Sequence, residues 1–106
     1  MTSTYETDKR GRLVIDRDPN SILDYSADFT EWLTQSADTI ASVDAVVEGV
    51  TLAAGRPGPA FVGGLVTVWI AGGVIGAETL PSLTFRVTTV AGRVDDRTVY
   101  FKMKTL

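Results

Sequence analysis

Ser82-Leu83-Thr84-Phe85-Arg86-Val87-Thr88-Thr89-Val90-Ala91-Gly92-Arg93-Val94-Asp95-Asp96-Arg97-Thr98-Val99-Tyr100-Phe101-Lys102-Met103-Lys104 is the stretch that decides the fold. Leu83, Phe85, Val87 and Thr89 recur at every second position, with Thr84, Arg86 and Thr88 between them. Later, Val99, Phe101 and Met103 point one way, and Thr98, Tyr100, Lys102 and Lys104 the other. Side chains alternate across a strand, so this pattern predicts two half-buried strands. Ala91-Gly92-Arg93 lies between them, and glycine supplies the positive φ that a hairpin connection needs. Asp95-Asp96 are expected to add polar turn chemistry. The stretch reads as a β-hairpin and sets the class as all-β.

Upstream, Leu65 to Ile70 is a β run in which Val66, Val68 and Ile70 oppose Leu65, Thr67 and Trp69. Gly72-Gly73 ends it, and residues 76–81 connect it to the hairpin. Gly55-Arg56-Pro57-Gly58-Pro59 is a loop, since prolines cannot donate to a ladder. Val50 to Ala53 and Ala60 to Val62 are expected as short strands on either side. The stretch from Ser26 to Val47 fits both a helix and strands. A continuous helix would hold Thr30, Ser36, Asp38, Thr39, Ser42 and Val43, all poor helix formers. A split is favoured: residues 24–29 extended, Thr30 to Thr34 one helical turn at most, and Thr39 to Val47 a strand. Leu13-Val14-Ile15 marks a first strand within residues 12–17, and Asp18-Pro19-Asn20-Ser21 a turn. Residues 1–11 are polar and read as a flexible N-terminal arm. Residues 12–106 then form a single β-sandwich domain of about 6–8 short antiparallel strands, with turn signals roughly every 8–12 residues.

A chain of 106 residues fits one domain. At that size folding buries roughly 65% of the unfolded surface, enough for a core without covalent staples. The sequence holds no Cys and no His. That removes disulfides and thiolate chemistry, together with the commonest general base and metal ligand. A net charge of −3 gives no electrostatic footprint for nucleic acid. The mainly apolar run from Ala60 to Ala77 is broken by Gly and Thr and reads as strand and turn, so no membrane span is expected. The opening residues lack a basic region followed by an apolar one, so no secretory signal is expected.

Ala71, Gly73 and Gly76 have the spacing A-x-G-x-x-G after a predicted strand. A dinucleotide fingerprint needs a helix there, so that backbone N–H groups meet the pyrophosphate. Pro81 and an alternating strand leave no room for one, and a plain turn is the better reading. Carboxylates cluster as Asp95-Asp96, Asp16 with Asp18, and Asp24 with Asp28. An acid–base pair or a Ca²⁺ loop would draw on such residues. Each cluster falls in a predicted turn or extended edge, and none has the ligand order of a calcium loop. No catalytic, metal-ligating or cofactor-binding residue is therefore expected, and no cofactor. Trp32 and Trp69 read first as packing residues and second as contact anchors, because Trp is enriched at interface centres. Tyr100 is on the polar face of the last strand beside Lys102 and suits either role.

Three blocks carry a family likeness: Asp24-Tyr25-Ser26-Ala27-Asp28-Phe29-Thr30-Glu31-Trp32-Leu33 with Asp38-Thr39-Ile40-Ala41-Ser42, then Val66 to Gly73, then Phe85 to Arg97. In this order they resemble small Ig-like virion structural proteins of tailed bacteriophages and prophages, of the fiber–tail adaptor type. The likeness covers about Asp24 to Lys104. It implies an Ig-like β-sandwich acting by protein–protein docking in the virion, assembled in the bacterial host cytoplasm. It implies other tail or fiber components as partners, with a homo-oligomer following the particle's symmetry as a further possibility. It brings no catalytic motif. Trp32, Trp69, Arg56, Pro57 and Tyr100 are the candidate contact residues, with the 1–11 arm beside them. The rival readings are an Ig-like surface or carbohydrate-binding module, or another head–tail or tail-tube component.

Overall fold

The computed structural model of the protein describes residues 5–7 and 12–106. Of the arm expected over residues 1–11, residues 1–4 and 8–11 lie outside the described residues. Tyr5–Thr7 form a short strand, β1. The remaining strands are β2 (Leu13–Arg17), β3 (Leu23–Asp28), β4 (Ile40–Glu48), β5 (Thr51–Leu52), β6 (Ala60–Val62), β7 (Leu65–Ala71), β8 (Ser82–Thr89) and β9 (Val94–Met103). One five-residue helix, α1 (Thr30–Thr34), separates β3 from β4. The all-β sandwich expected from the sequence is present, with three of its nine described strands only two or three residues long.

The β8–β9 hairpin lies near the middle of the larger sheet, whose order is β1-β2-β9-β8-β4. Its register runs from Ser82 opposite Tyr100 to Thr88 opposite Val94. At the turn, Thr89 N–H donates to Arg93 O and Gly92 N–H to Thr89 O, with Gly92 at φ 89°. Only glycine takes that backbone conformation without a Cβ penalty. The ladder continues past Asp95 and Asp96, which are strand residues and not part of the turn. Their position follows from the compactness of the turn, which ends at Arg93.

The smaller sheet has the order β3-β7-β5, and β6 pairs with β7 on the side away from β3. The Gly55–Pro59 loop separates β5 from β6, as its prolines require. One pairing departs from the antiparallel expectation. β2 runs parallel to β9, with Val14 opposite Tyr100 and Arg17 opposite Met103. The two strands come from opposite ends of the described chain, and no local pattern announces such a pairing.

The inward positions of both sheets meet in one core. Val66, Val68, Ile70, Leu83, Phe85, Val87 and Phe101 have no exposed surface, and Tyr25 packs its ring 5.0 Å from that of Phe101. Each fully buried side chain of this size contributes roughly 2–3 kcal/mol of transfer free energy. Helix α1 plugs one end with Leu33. Its start is fixed by the Asp28 carboxylate, which accepts from Thr30 N–H at 2.9 Å, and by Phe29 N–H donating to Gly64 O at 2.8 Å. A Cβ on Gly64 would lie 2.7 Å from Thr30 N, so this approach requires glycine. The helix ends at Thr34, and the turn after it closes at Ala37, which is left-handed at φ 49°, before the chain runs extended into β4.

Candidate docking surface

Arg17 decides how the core is closed. It follows Ile15 by two positions on β2 and points inward with no exposed surface. Its Nε donates to Gly72 O, Nη1 to Ser21 Oγ and Tyr25 OH, and Nη2 to Ser21 O and Ile70 O. These five bonds use every N–H of the guanidinium. The group also lies 5.9 Å from the ring centres of Tyr25 and Phe101. A buried charge is tolerated when its donors are met, and here it ties the larger sheet to the far end of β7. The sequence signal was available: Arg17 falls in phase with Ile15.

Each carboxylate cluster has at least one member absorbed into local structure, while Asp24 and Asp95 have no side-chain partner among the described residues. Asp96 forms a two-pronged pair with Arg86 at 2.8 and 2.9 Å, which holds its carboxyl below the usual range. Asp16 pairs with Lys104 at 2.8 Å. Asp18 accepts from Asn20 N–H and Leu106 N–H, and both lower its pKa. Asp38 is the most enclosed, with 4% of its side chain exposed. The Thr89 hydroxyl, then Thr39 N–H, the Arg93 guanidinium and Ala91 N–H, hold its pKa down to about 2 against the opposing effect of burial. Among the described residues, no group of three or more carboxylates comes together in a way that could hold a metal ion.

The five candidate contact residues fall in three places. Trp32 is half-buried on α1, edge-on to Phe29, with the Arg93 guanidinium 4.2 Å from its ring centre. Tyr100 is on the outer face of the larger sheet, with Arg12 4.6 Å from its ring centre. Trp69 is on the outer face of the smaller sheet, since Val66, Val68 and Ile70 take the inner positions of β7. The β5–β6 loop brings Arg56 over Trp69 at 4.8 Å, and Pro57 follows on the exposed rim. Trp69, Arg56 and Pro57 are thus brought together, while Trp32 and Tyr100 lie elsewhere. Each half-buried aromatic carries a guanidinium on its face, an arrangement worth about 0.5–1 kcal/mol at exposed sites.

Both strands of the β6–β7 hairpin are expected from the sequence, but its tip is not among the contact candidates named there. Its tip exposes Phe61 (38%), Val62 (82%) and Leu65 (46%). An apolar groove of about 300 Å³ flanks it on one side, between Phe61, Gly64, Leu33 and Ile40. A second groove, of about 470 Å³, flanks the other, between Leu65, Leu13, Ala27, Phe85 and Val99. Polar residues also line both grooves, Thr30, Thr34, Asp38 and Thr39 in the first and Ser26, Asp28, Arg97 and Thr98 in the second. Exposed apolar surface rimmed by polar groups is the pattern of an interaction site. Phe61-Val62-Gly63-Gly64-Leu65, an apolar pair meeting an apolar residue across two glycines, was the available signal.

A family model described as podophage GP4 fiber-tail adaptor protein gp77 matches residues 17–102. No curated protein matches the chain. The match runs from Arg17, which closes the core, to Lys102 near the end of β9, and so spans nearly the whole sandwich. The chain therefore belongs to the podophage GP4 fiber-tail adaptor protein gp77 family, a family of tail-associated structural components of the phage virion.

Proposed function

We propose that this protein joins tail and fiber components of a phage or prophage particle by docking alone, without catalysis, on an Ig-like scaffold. The strand order supports the scaffold reading. Taken from β2 to β9, with β5 and β6 as one interrupted strand, the chain has A′GFC in one sheet and BED in the other. The observation that carries the docking reading is the β6–β7 tip, where Val62 is 82% exposed between two apolar grooves. A neighbouring virion protein that covers the tip removes this surface from water.

Mass spectrometry of density-purified particles from a culture of the source organism tests the role. The protein is expected at a fixed ratio to the major tail protein, and that ratio gives its copy number. Particles that assemble with their fibers while lacking this chain would sink the reading. A Val62→Asp variant refines the site. It is expected to fold normally and to be lost from particles.

A further inference from the structure

Among the arginines of the described residues, Arg56 on the smaller sheet's outer face stands apart by its partners. Arg86 is bonded to Asp96, Arg93 to Asp38, and Arg97 to Asp28 O. Arg56 has no such oxygen partner among the described residues, and only rests on the ring of Trp69. On the other side of Trp69, directly across the ladder, is Asp24 on β3. Its carboxylate likewise has no hydrogen-bond or ion-pair partner among the described residues. One face thus carries a guanidinium on one flank of β7, a carboxylate on the other, and an indole between them. The positions along β7 on this face are Leu65, Thr67, Trp69 and Ala71, none of them charged.

We propose that this face is the contact between two copies of the chain, packed sheet to sheet about a two-fold axis parallel to β7. Such an axis keeps heights along the strand and exchanges the two flanks. Arg56 of each copy then meets Asp24 of the other, and Trp69 and Leu65 each meet their own symmetry mates. A two-fold interface must be self-complementary. Placing opposite charges on the two flanks of an uncharged strip, both beside Trp69, meets that condition. The alternative axis, across the strands, leaves each charge on its own flank and gives no such pairing. The seven residues of β7 and three strand widths make a projected area of only about 300 Å², against roughly 800 Å² per partner in a standard interface. The dimer is therefore expected to be weak in dilute solution and to fill at high local concentration.

The test is sedimentation velocity on the full chain from about 10 μM to 1 mM, at low and high salt, a range set by the weak affinity expected of so small an interface. The wild type is expected to pass from monomer to dimer across this range, more readily at low salt. Arg56→Asp alone and Asp24→Arg alone are each expected to weaken the dimer by about tenfold or more. The double variant, which restores opposite charges, is expected to recover it. Thermal melts of each variant read folding separately. Should Asp24→Arg fail to fold, Arg56→Asp in the loop against Arg56→Ala still separates charge from bulk. A monomer throughout the range overturns the proposal. So does a dimer indifferent to both reversals, because it must use another face. Either result leaves the adaptor role untouched, since that role is read from particle composition.

Discussion

Arg17 and Asp38 show how a single side chain governs a region of this protein. Arg17 supplies five donors to Gly72, Ile70, Ser21 and Tyr25. In Arg17→Met the apolar stem remains, but three carbonyls and two hydroxyls lose a donor, with Tyr25 OH and Ile70 O buried and the Ser21 and Gly72 acceptors partly so. Burying the charge costs free energy that the variant recovers, yet the orphaned acceptors cost more in total, at about 1–3 kcal/mol each before relaxation. The expected net loss is roughly 3 kcal/mol, read as a lower urea midpoint at unchanged slope. Asp38 acts through its ionisation. Its folded pKa of about 2 lies below the ordinary aspartate value of 3.8, so the folded state favours the charged form. Its stabilisation is complete above about pH 4 to 5 and disappears as pH falls through 2. Urea midpoints measured from pH 7 to 2 should therefore fall over the acid end in the wild type. Asp38→Asn should lower the midpoint at pH 7, flatten that acid limb and converge with the wild type near pH 2.

At the scale of the element, strand β4 shows how an exposed edge is kept from pairing. It bonds to β8 on one side only. A nine-residue edge would template association with another chain. Two devices interrupt it. The register slips between Ile40 and Ser42, bending the strand, and the Asp44 carboxylate takes the Ala45 N–H at 2.9 Å. Asp44→Val removes both the charge and that bond while raising strand propensity. It should increase light scattering on prolonged incubation at high concentration, with little change in melting temperature. Much at this scale was legible in the sequence. The alternation in β8 and β9 is a local signal, and the poor helix formers from Ser36 to Val43 were enough to limit α1 to one turn. The parallel β2–β9 pairing was not legible, because it joins segments about 85 positions apart and leaves no periodic trace in either. Asp95-Asp96 misled because acidic pairs favour turns in isolation, whereas here Asp96 faces Arg86 across a ladder. In the candidate site, Trp69 and Arg56 were each visible as residues. That they touch depends on where the Gly55–Pro59 loop folds, which composition does not specify.

For the whole molecule, the decisive feature is that its first long strand and its last lie side by side. Lys104 N–H donates to Arg17 O at 2.9 Å, and Asp16 pairs with Lys104, so the closure extends beyond the ladder. Removing everything before Asp18 would take away β2, with Ile15 and Arg17 from the core. That loss approaches the 5–15 kcal/mol total of a typical domain. Such a shortened chain should show no cooperative thermal transition by circular dichroism, whereas one starting at Arg12 should retain it. The same pairing has a mechanical meaning. Because β2 and β9 run parallel, the leading end of β2 and the trailing end of β9 lie at opposite ends of the ladder. A tensile load applied through the two ends of the domain therefore slides one strand along the other. All the bonds between them resist together, and they do not open one at a time like a zipper. Against a load of that kind the larger sheet is strongest along its own strands, the direction in which it is hardest to tear.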